Sequence, residues 1–497
     1  MNLHSHSISS LQGVLTVPGD KSISHRAAIL GGLAQGVTEV DNFLCSEDCL
    51  NTLRAMEQLG AKVDVLEERQ GYGPVRFRIT GVAMSPKAPE RPIDCGNSGT
   101  GMRLLAGMLA ACPFDSEMFG DASLSSRPMG RIMQPLEQMG ARIEARGTKP
   151  GCAPLSIHGG RVHPISYALP MASAQVKSAI LLAGMFADGT TTVRQPAATR
   201  DHTERLFRHF GVPCTVDGLT VGTCGPALPV AHNLTVPADI SSAAFWMVAA
   251  ASRPGSRLTL RQVGLNKTRN AVISALQRMG ARMDIVPTSP EDAGEPYGDI
   301  TVYGSDSLHG TSLLPEEIPN LIDEIPILAV AGALGRGDFI VRNARELRVK
   351  ETDRIATTAA NLRLMGVDVE EFDDGMVVHG GTPLKGTELS SYGDHRIAMS
   401  FLVAGLSAQG ETVVTDAECI NTSYPGFERD LAQFLEKTQD SGRISPRPWN
   451  NAGRRKESCG IPANIMLPVP PPLLWRGTNP ASRENSICWE NPGTGGV

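Results

Sequence analysis

The sequence repeats one local pattern five times: an amphipathic helical run, then a glycine, then a short strand-like run. The glycines are separated by 80, 71, 69 and 86 residues. Helices often end at a glycine in the left-handed conformation, so the pattern predicts a helix, a tight stop and a strand. The five copies are Leu59-Gly60-Ala61, Met139-Gly140-Ala141, Phe210-Gly211-Val212, Met279-Gly280-Ala281 and Met365-Gly366-Val367.

The spacing of the repeats constrains the architecture. Units of roughly 70 residues are too long for a solenoid, whose repeats span about 20–50 residues. A last helical run at residues 427–435 completes a sixth copy without a glycine. We therefore predict an α/β protein of two similar domains with three units in each. The alternative is that helix-glycine-strand turns recur only because they are common in α/β proteins, and the fivefold recurrence makes that less favourable.

Residues 438–497 differ from the rest in composition. Nine of the 35 prolines lie there, and Pro468-Val469-Pro470-Pro471-Pro472 fits neither a helix nor an inner strand. Apolar periodicity also stops. We predict a disordered C-terminal extension, with a docking segment or an accidental read-through product as alternatives, because three of the four tryptophans lie in it.

Charge and cysteine content exclude several classes of protein. Lys plus Arg number 46 against 52 Asp plus Glu, which gives a formal net charge of −6 and argues against a nucleic-acid binder. The ten cysteines lack metal-ligand spacing, which indicates reduced thiols in a cytoplasmic protein. The sequence has neither a membrane-length apolar run nor a signal-peptide pattern. We expect a cytoplasmic monomer that binds neither membranes nor nucleic acids.

The first motif suited to an anion is Pro18-Gly19-Asp20-Lys21-Ser22-Ile23-Ser24-His25-Arg26, which runs into an apolar helix. Lys21, Ser22 and Arg26 are spaced to converge on an anion near the helix N-terminus. The segment superficially resembles a P-loop. However, Asp20 stands where the P-loop lysine directly follows a glycine, and a carboxylate there repels phosphate. A P-loop is therefore disfavoured.

Other segments near the start of apolar runs also carry anion-binding groups. Residues 94–103 contain three glycines before a helix, a turn that presents backbone N–H groups to an anion, although ordinary tight turns look the same. Hydroxyls and cations recur in Ser125–Pro128, Ser173–Lys177 and Arg200–Glu204. Each segment alone fits a solvated surface, but together they suit a multiply charged metabolite.

Three segments in the last third of the chain complete the set. On a helix, Lys350 and Arg354 would share one face, and His395-Arg396 lies at the start of a helical run. An acidic pair, Asp323-Glu324, interrupts an apolar stretch. Such an acid is expected either to have a raised pKa and act as a base or to cap a helix.

In this order the segments resemble the EPSP synthases, or 3-phosphoshikimate 1-carboxyvinyltransferases. The resemblance covers roughly residues 8–437 and rests on GDKSISHR, GNSGTGMR, SRPMGR, SAQVK, RDHTE, NKTR, LRVKETDR and GDHRIAMS. It implies the enolpyruvyl transferase fold, an inside-out α/β barrel of two similar domains with three βαβαββ units each. The family's chain starts in one domain, crosses to the other and returns. We place the crossings near Asp20 and Pro237, so that residues 1–19 and 237–437 form the first domain and residues 20–236 the second.

The resemblance also implies the substrates, shikimate 3-phosphate and phosphoenolpyruvate, and a reaction without metal or organic cofactor. Asp323 would be the base for the attacking 5-hydroxyl, and Glu351, together with Lys21, would protonate the methylene carbon. The residues implied for shikimate 3-phosphate are Lys21, Ser22, Arg26, Ser173, Ala174, Gln175, Arg200, Asp323 and Lys350. Those implied for phosphoenolpyruvate are Lys21, Asn97, Gly99, Thr100, Arg127, Gln175, Arg354, His395 and Arg396.

Four motifs (GDKS, SAQVK, RDHTE and NKTR) resemble the class II branch of the family, which includes members tolerant to glyphosate. Thr422 stands where class I members carry a lysine, so sensitivity to this inhibitor is open. One rival with the same fold is UDP-N-acetylglucosamine enolpyruvyl transferase, which usually has a cysteine on the loop matched by residues 121–126, where this chain has none. The other rival is a non-catalytic anion-binding protein of this fold.

Overall fold

The structure is a computed structural model that describes residues 1–290 and 293–440. Its helices, in chain order, are α1 (Lys21–Leu33), α2 (Glu47–Gln58), α3 (Gly99–Leu109), α4 (Gly130–Gln138), α5 (Ala174–Gly184), α6 (His202–His209), α7 (Ile240–Ala251), α8 (Ala271–Arg278), α9 (Ile318–Leu321), α10 (Ile325–Leu334), α11 (Arg354–Leu364), α12 (His395–Gly405) and α13 (Phe427–Asp440). Short 3-10 helices lie at Leu124–Ser126, Arg345–Val349 and Ala417–Thr422.

The strands are short and alternate with the helices along the chain. They are β1 (Leu3–His6), β2 (Gln12–Leu15), β3 (Val37–Asp41), β4 (Lys62–Arg69), β5 (Gly73–Thr80), β6 (Ile93–Asp94), β7 (Asp115–Phe119), β8 (Arg142–Ala145), β9 (Leu155–His158), β10 (Ser166–Ala168), β11 (Gly189–Arg194), β12 (Cys214–Asp217), β13 (Thr220–Gly225), β14 (Leu234–Thr235), β15 (Arg257–Gly264), β16 (Arg282–Pro287), β17 (Tyr297–Tyr303), β18 (Gly337–Val341), β19 (Asp368–Phe372), β20 (Gly375–Gly380), β21 (Glu388–Ser390) and β22 (Glu411–Thr415).

The helix-glycine-strand prediction is confirmed at all five positions. The glycines follow α2, α4, α6, α8 and α11 and precede β4, β8, β12, β16 and β19. Each has a positive φ, a conformation that L side chains rarely adopt. The φ angles are 103° at Gly60, 107° at Gly140, 71° at Gly211, 89° at Gly280 and 90° at Gly366.

Within the described residues the strands form six small sheets, one for each repeat. The four four-stranded sheets share one order. In the first repeat, β14 runs parallel to β3, β3 pairs antiparallel with β5, and β5 pairs antiparallel with β4. In the last repeat, β1 from the N-terminus pairs antiparallel with β22. Strand β1 thus takes the position that β5 has in the first repeat, so the sixth unit does not require a glycine and a strand after α13.

Six helices form the interior of the protein in two groups of three: α1, α3 and α5, and α7, α10 and α12. Helices α7 and α10 are almost entirely apolar and buried along their length, as expected of a helix surrounded by protein. The strands alternate between buried and exposed residues, so the sheets lie outside the helices. The predicted fold class, an inside-out α/β barrel, is confirmed.

The buried apolar side chains fall into two clusters. One is built from residues 3–17 and 238–434, and the other from residues 23–236. We call the parts of the chain that carry them the terminal lobe (residues 1–19 and 237–437) and the central lobe (residues 20–236). The segments that connect the lobes are tied together, since the backbone N–H of Asp20 donates to the carbonyl of Pro237 at 2.8 Å. The clusters follow the predicted crossings, whereas the division into two domains stays a prediction.

The last helix runs to Asp440, so the first three residues of the predicted extension are helical. The disorder predicted for the remainder lies outside the described residues. In residues 1–290 and 293–440, no helix is both long and apolar enough to cross a membrane.

Candidate active site

The buried helices of both lobes direct their N-termini at one cleft between the lobes. Helices α1, α3, α5 and α12 begin with residues that line it, and α7 and α10 begin within two residues of lining positions. Sixteen of the seventeen predicted site residues line this cleft: Lys21, Ser22, Asn97, Gly99, Thr100, Arg127, Ser173, Ala174, Gln175, Arg200, Asp323, Lys350, Glu351, Arg354, His395 and Arg396. Because helix N-termini carry partial positive charge and unpaired N–H groups, their convergence favours anions.

The cleft is also rich in cationic side chains. Nine Lys and Arg residues line it against five carboxylates, although the whole chain has a net charge of −6. The cleft therefore has a local excess of positive charge in a chain that is acidic as a whole. No group of three or more His, Cys, Asp or Glu suited to a metal ion occurs in the part of the chain that the structure describes.

On the central lobe, the start of α1, which is predicted to bind an anion, contacts two carboxylates. Asp20 caps the helix, since its Oδ1 accepts from the backbone N–H of Ile23 at 2.9 Å. Asp48 lies 2.5 Å from the Nζ of Lys21 through its Oδ2. Asp20, the residue that disfavoured a P-loop, therefore serves as the cap of α1.

Hydrogen bonds join the starts of α3 and α5 into one surface. The side-chain nitrogen of Gln175 donates to Thr100 Oγ1 at 2.9 Å, and its oxygen accepts from Arg103 at 2.8 Å. Arg103 also donates to the carbonyl of Gly99 at 3.2 Å. The glycine-rich segment and the SAQVK segment are thus neighbours, although 72 residues separate Arg103 from Gln175.

Arg127 reaches across the cleft from the central lobe. Its Nη2 donates to Asn97 Oδ1 at 2.8 Å and to Ser123 Oγ at 3.0 Å. Its Nη1 lies 3.5 Å from Glu351 Oε1 on the terminal lobe. Arg127 is consequently oriented by its own lobe and charge-paired with the other.

On the terminal lobe, Arg354 is the centre of an ion-pair network and is only 1% exposed. Its Nε donates to Asp394 at 2.8 Å, its Nη1 to Asp323 at 3.2 Å and its Nη2 to Glu351 at 2.6 Å. Asp394 also caps α12 by accepting from the N–H of Arg396 at 2.8 Å. One arginine therefore fixes both predicted catalytic carboxylates.

The structure corrects the prediction of a raised pKa for Asp323. Burial does raise this pKa, but the positive charges of Arg396, Arg200, Lys350 and Arg354 outweigh it and hold the pKa well below its usual value. Arg200 contacts one carboxylate oxygen, and the nitrogens of Lys350 and Arg396 each lie 3.9 Å away. The prediction was wrong because it considered only the apolar neighbours in sequence, whereas the cations come from distant segments.

The alternative that this acidic pair caps a helix is also not observed. Glu324 occupies the N-cap position of α10 but makes no cap hydrogen bond through its side chain. Its carboxylate instead accepts from the hydroxyl of Ser241. Asp323 is thus free of a structural capping role and faces the cleft.

Glu351 and His395 lie close to the same network, and the pKa of each is shifted from its usual value. Burial raises the pKa of Glu351, but Arg354 and Arg127 together with other cations hold it well below its usual value. Burial lowers the pKa of His395 to about 3, so its imidazole is neutral. The Nδ1 of His395 lies 3.4 Å from Thr422 Oγ1. His395 therefore acts as a neutral hydrogen-bonding group and adds no charge to the cleft.

Lys350 and Arg354 do not share a helix, contrary to prediction. Residues 345–349 form a 3-10 helix, Lys350 is extended, and α11 begins only at Arg354. Both side chains nevertheless approach Asp323 Oδ1, at 3.9 Å for Lys350 and 3.2 Å for Arg354. A sharp change of backbone direction, rather than helical spacing, brings them together.

Arg26 is the one predicted site residue that does not line the cleft. It is buried behind Ser22, whose carbonyl accepts from its Nη1 at 2.8 Å. Its Nε donates to Thr203 Oγ1 at 2.7 Å and its Nη2 to Ser178 Oγ at 2.8 Å. Burial lowers the pKa of Arg26 to about 10. Its contact with a substrate stays a prediction.

Six charged residues of the cleft were missed from the predicted site. They are Arg103, Arg131, Arg269, Asp48, Asp239 and Glu346. The three arginines lie inside segments already singled out, so their motifs contained the signal. Asp48, Asp239 and Glu346 had no such signal, because each looks like an ordinary acidic residue in or at the start of a helical run.

Comparisons with known proteins agree on one family. A sequence profile described as EPSP synthase (3-phosphoshikimate 1-carboxyvinyltransferase) matches residues 6–431. A 3-phosphoshikimate 1-carboxyvinyltransferase of Akkermansia muciniphila is 99% identical over 435 residues, which cover 88% of this chain and 100% of the relative. The one of Desulforamulus reducens is 46% identical over 438 residues, with the same coverage of 88% and 100%. The solved EPSP synthase of Acinetobacter baumannii has a TM-score of 0.77 and 43% identity over 88% of this chain and 98% of that one.

Proposed function

Because the chain belongs to the EPSP synthase family, we propose the cleft between the lobes as the place where it transfers the enolpyruvyl group of phosphoenolpyruvate to the 5-hydroxyl of shikimate 3-phosphate. The reaction releases phosphate and belongs to the shikimate pathway of aromatic amino-acid biosynthesis. The assignment of each residue below is our proposal.

Shikimate 3-phosphate lies mainly against the central lobe in this proposal. The start of α5 offers Ser173, Ala174 and Gln175, whose backbone N–H groups suit the phosphate. Arg200 adds a cation beside it, and Ser22 takes the carboxylate. The remaining ligands we assign to this substrate are Lys21, Arg26, Asp323 and Lys350.

Phosphoenolpyruvate lies between the start of α3 and the arginines of the terminal lobe. Arginine binds carboxylate and phosphate groups through two parallel hydrogen bonds, so a cleft with several arginines suits a small substrate that carries both groups. The ligands we assign to it are Lys21, Asn97, Gly99, Thr100, Arg127, Gln175, Arg354, His395 and Arg396.

Asp323 is the base. Its lowered pKa keeps it ionised, so it can accept the proton of the 5-hydroxyl as the hydroxyl oxygen adds to C2 of phosphoenolpyruvate. C3 gains a proton at the same stage, which gives a tetrahedral intermediate with a methyl group. Loss of phosphate and of one methyl proton then restores the double bond.

Glu351 is the acid for C3, with Lys21 nearby. It must take up a proton first, because Arg354 and Arg127 favour its ionised form. Substrate anions that bind these two arginines weaken both contacts and so raise the pKa of Glu351. Binding of the substrates thereby prepares the acid.

The observation that carries the proposal is that Asp323 and Glu351 are held 3.2 and 2.6 Å from a single arginine, Arg354, inside a cationic cleft. A protein that only binds anions has no need of two carboxylates there, since both repel the ligand. We further propose that the protein is a cytoplasmic monomer.

Phosphate release tests the proposal. The protein is incubated with phosphoenolpyruvate and, in separate reactions, shikimate 3-phosphate, shikimate, UDP-N-acetylglucosamine or no acceptor. We expect release with shikimate 3-phosphate only. Release with UDP-N-acetylglucosamine would support the rival transferase, and binding of shikimate 3-phosphate without any release would support an anion-binding protein.

A further inference from the structure

Two motifs from the sequence meet across the interface between the lobes. RDHTE (residues 200–204) leads into α6 of the central lobe, and NKTR (residues 266–269) precedes α8 of the terminal lobe. Of these nine residues only Arg200 has a role in the proposed reaction. The contacts of the others indicate what they do.

Asp201 does not cap its helix in the usual way. It is the N-cap residue of α6, where an aspartate normally accepts from an N–H two or three residues later, but it makes no such bond. Its Oδ1 instead accepts from Asn266 Nδ2 at 2.7 Å and from Thr268 Oγ1 at 3.1 Å, both on the other lobe. The start of α6 is therefore stabilised by the terminal lobe.

A second contact lies beside the first and is fully buried. The Nδ1 of His202 lies 2.7 Å from Glu295 Oε1, and Asn266 Nδ2 also donates to Glu295 Oε2 at 3.0 Å. His202 and Glu295 are each 1% exposed. Burial raises the pKa of Glu295 to about 8 and lowers that of His202 to about 3. Such polar groups are costly to bury singly, so the contacts are expected to form and break together.

These contacts fix the backbone next to Arg200. The carbonyl of Arg200 accepts from the Nζ of Lys177 at 3.0 Å, and the N–H of Asp201 donates to Thr268 Oγ1 at 3.3 Å. Both atoms belong to the same peptide group. Lys177 is itself buried and lies 2.5 Å from Glu204 Oε1. The peptide group is thus held at one end by the central lobe and at the other by the terminal lobe.

We propose that Asp201 and His202 on the central lobe and Asn266, Thr268 and Glu295 on the terminal lobe form a latch that closes with the lobes and aims Arg200 at shikimate 3-phosphate. The five latch residues are positioning residues. Neither Asp323 nor Glu351 bonds to any of them, and the latch reaches Asp323 only through Arg200. Because loss of the latch leaves the charge of Arg200 in place, its main effect is on substrate binding rather than on proton transfer. The inference rests on the proposed role of Arg200.

The variant Asn266→Ala tests the latch, because one amide donates to both Asp201 and Glu295. Its matched control is Tyr72→Phe, which removes another hydrogen bond between the lobes: the hydroxyl of Tyr72 donates to Asp430 at 2.5 Å, away from the cleft. Steady-state phosphate release gives kcat and the KM for shikimate 3-phosphate. Small-angle scattering, titrated with the same substrate, gives the concentration at which the lobes close.

We expect Asn266→Ala to raise the KM and the closure midpoint about tenfold, with kcat at saturation within about twofold of wild type. Tyr72→Phe is expected to leave the KM within about twofold. An unchanged KM in Asn266→Ala, or an equal rise in both variants, overturns the latch. If Asn266→Ala does not fold, Thr268→Ala takes its place with an expected rise of about threefold, and an unchanged KM again overturns the latch.

Arg200→Lys, measured alongside, separates this inference from the function on which it rests. Lysine keeps the charge but loses the planar fork, so the KM for shikimate 3-phosphate should rise. If it rises while Asn266→Ala changes nothing, only the latch is wrong. If it does not rise, the role of Arg200 is wrong and the inference falls with it.

Discussion

The two walls of the cleft, one from the central lobe and one from the terminal lobe, differ in how many carboxylates they contain. Of the five carboxylates that line it, the central lobe supplies one and the terminal lobe four. The one on the central wall, Asp48, is paired with Lys21. The central wall otherwise offers helix N-termini, hydroxyls, amides and cations, all of which bind anions. On the terminal wall, by contrast, Asp323 and Glu351 form ion pairs with cations of the same wall, Lys350 and Arg354.

This difference implies a division of labour. Groups that bind without titrating suit a wall that holds the substrates, whereas carboxylates poised among cations suit a wall that moves protons. Changes to the carboxylates of the terminal wall should therefore lower kcat, and changes on the central wall should raise KM or inhibition constants. The predictions below test that division, from the largest expected effect to the smallest.

Asp323→Asn should produce the largest effect. The amide keeps the shape of the side chain but cannot accept the hydroxyl proton, so kcat should fall by about 10²-fold or more. Binding of shikimate 3-phosphate, measured by calorimetry, should change little, because the neighbouring cations remain. An unaltered kcat would remove Asp323 from the mechanism and the chemistry from the terminal wall.

Gly99→Ala tests the central wall through an inhibitor. A methyl group at Gly99 would lie 2.8 Å from Arg103 Nη1 and 3.4 Å from Arg127 Nη1, so Arg103 has to shift. Overpacking of this kind costs about 1–3 kcal/mol, which corresponds to about ten- to a hundredfold in affinity. We expect the unmodified chain to have an intermediate tolerance to glyphosate, and Gly99→Ala to weaken inhibition further. The KM for phosphoenolpyruvate should rise by a smaller factor than the inhibition constant of glyphosate. Equal weakening of both would contradict this account of the space at Gly99.

Arg200→Lys is expected to have a smaller effect than Asp323→Asn, and on KM rather than on kcat. Loss of the guanidinium fork should raise the KM for shikimate 3-phosphate about tenfold and leave kcat at saturation nearly unchanged. Steady-state phosphate release measures both constants. A fall in kcat comparable to that of Asp323→Asn would break the division between the walls.

Removal of residues 441–497 should have no effect. The residues assigned to both walls all lie within residues 1–440, and the sequence of the extension lacks core-forming periodicity. Melting temperature and kcat of the shortened chain are the measurements. Loss of folding or of activity would show that the extension contributes to the core or to the cleft.

The sequence predicted the repeats because each helix stop is a local event, set by a glycine such as Gly60 and its flanking residues. It also predicted most of the residues that line the cleft, because they cluster at helix starts in recognisable segments. What it did not predict depends on contacts between distant segments. The lowered pKa of Asp323 arises from four cations located 27 to 123 residues away in the chain. The buried position of Arg26, held by Thr203 and Ser178, is likewise invisible in the linear motif.

The most direct test of the division between the walls is a single-turnover reaction in D₂O with saturating substrates, in which the rate and the deuterium in the product's methylene group are measured together. The proposed mechanism passes through a methyl group, so the wild-type product should carry solvent deuterium. We predict the same rate and deuterium content for Arg200→Lys to within about threefold. For Glu351→Gln, the loss of the acid should lower the rate about 10²-fold. A wild-type rate in Glu351→Gln, or a loss of rate of that size in Arg200→Lys, would contradict the account.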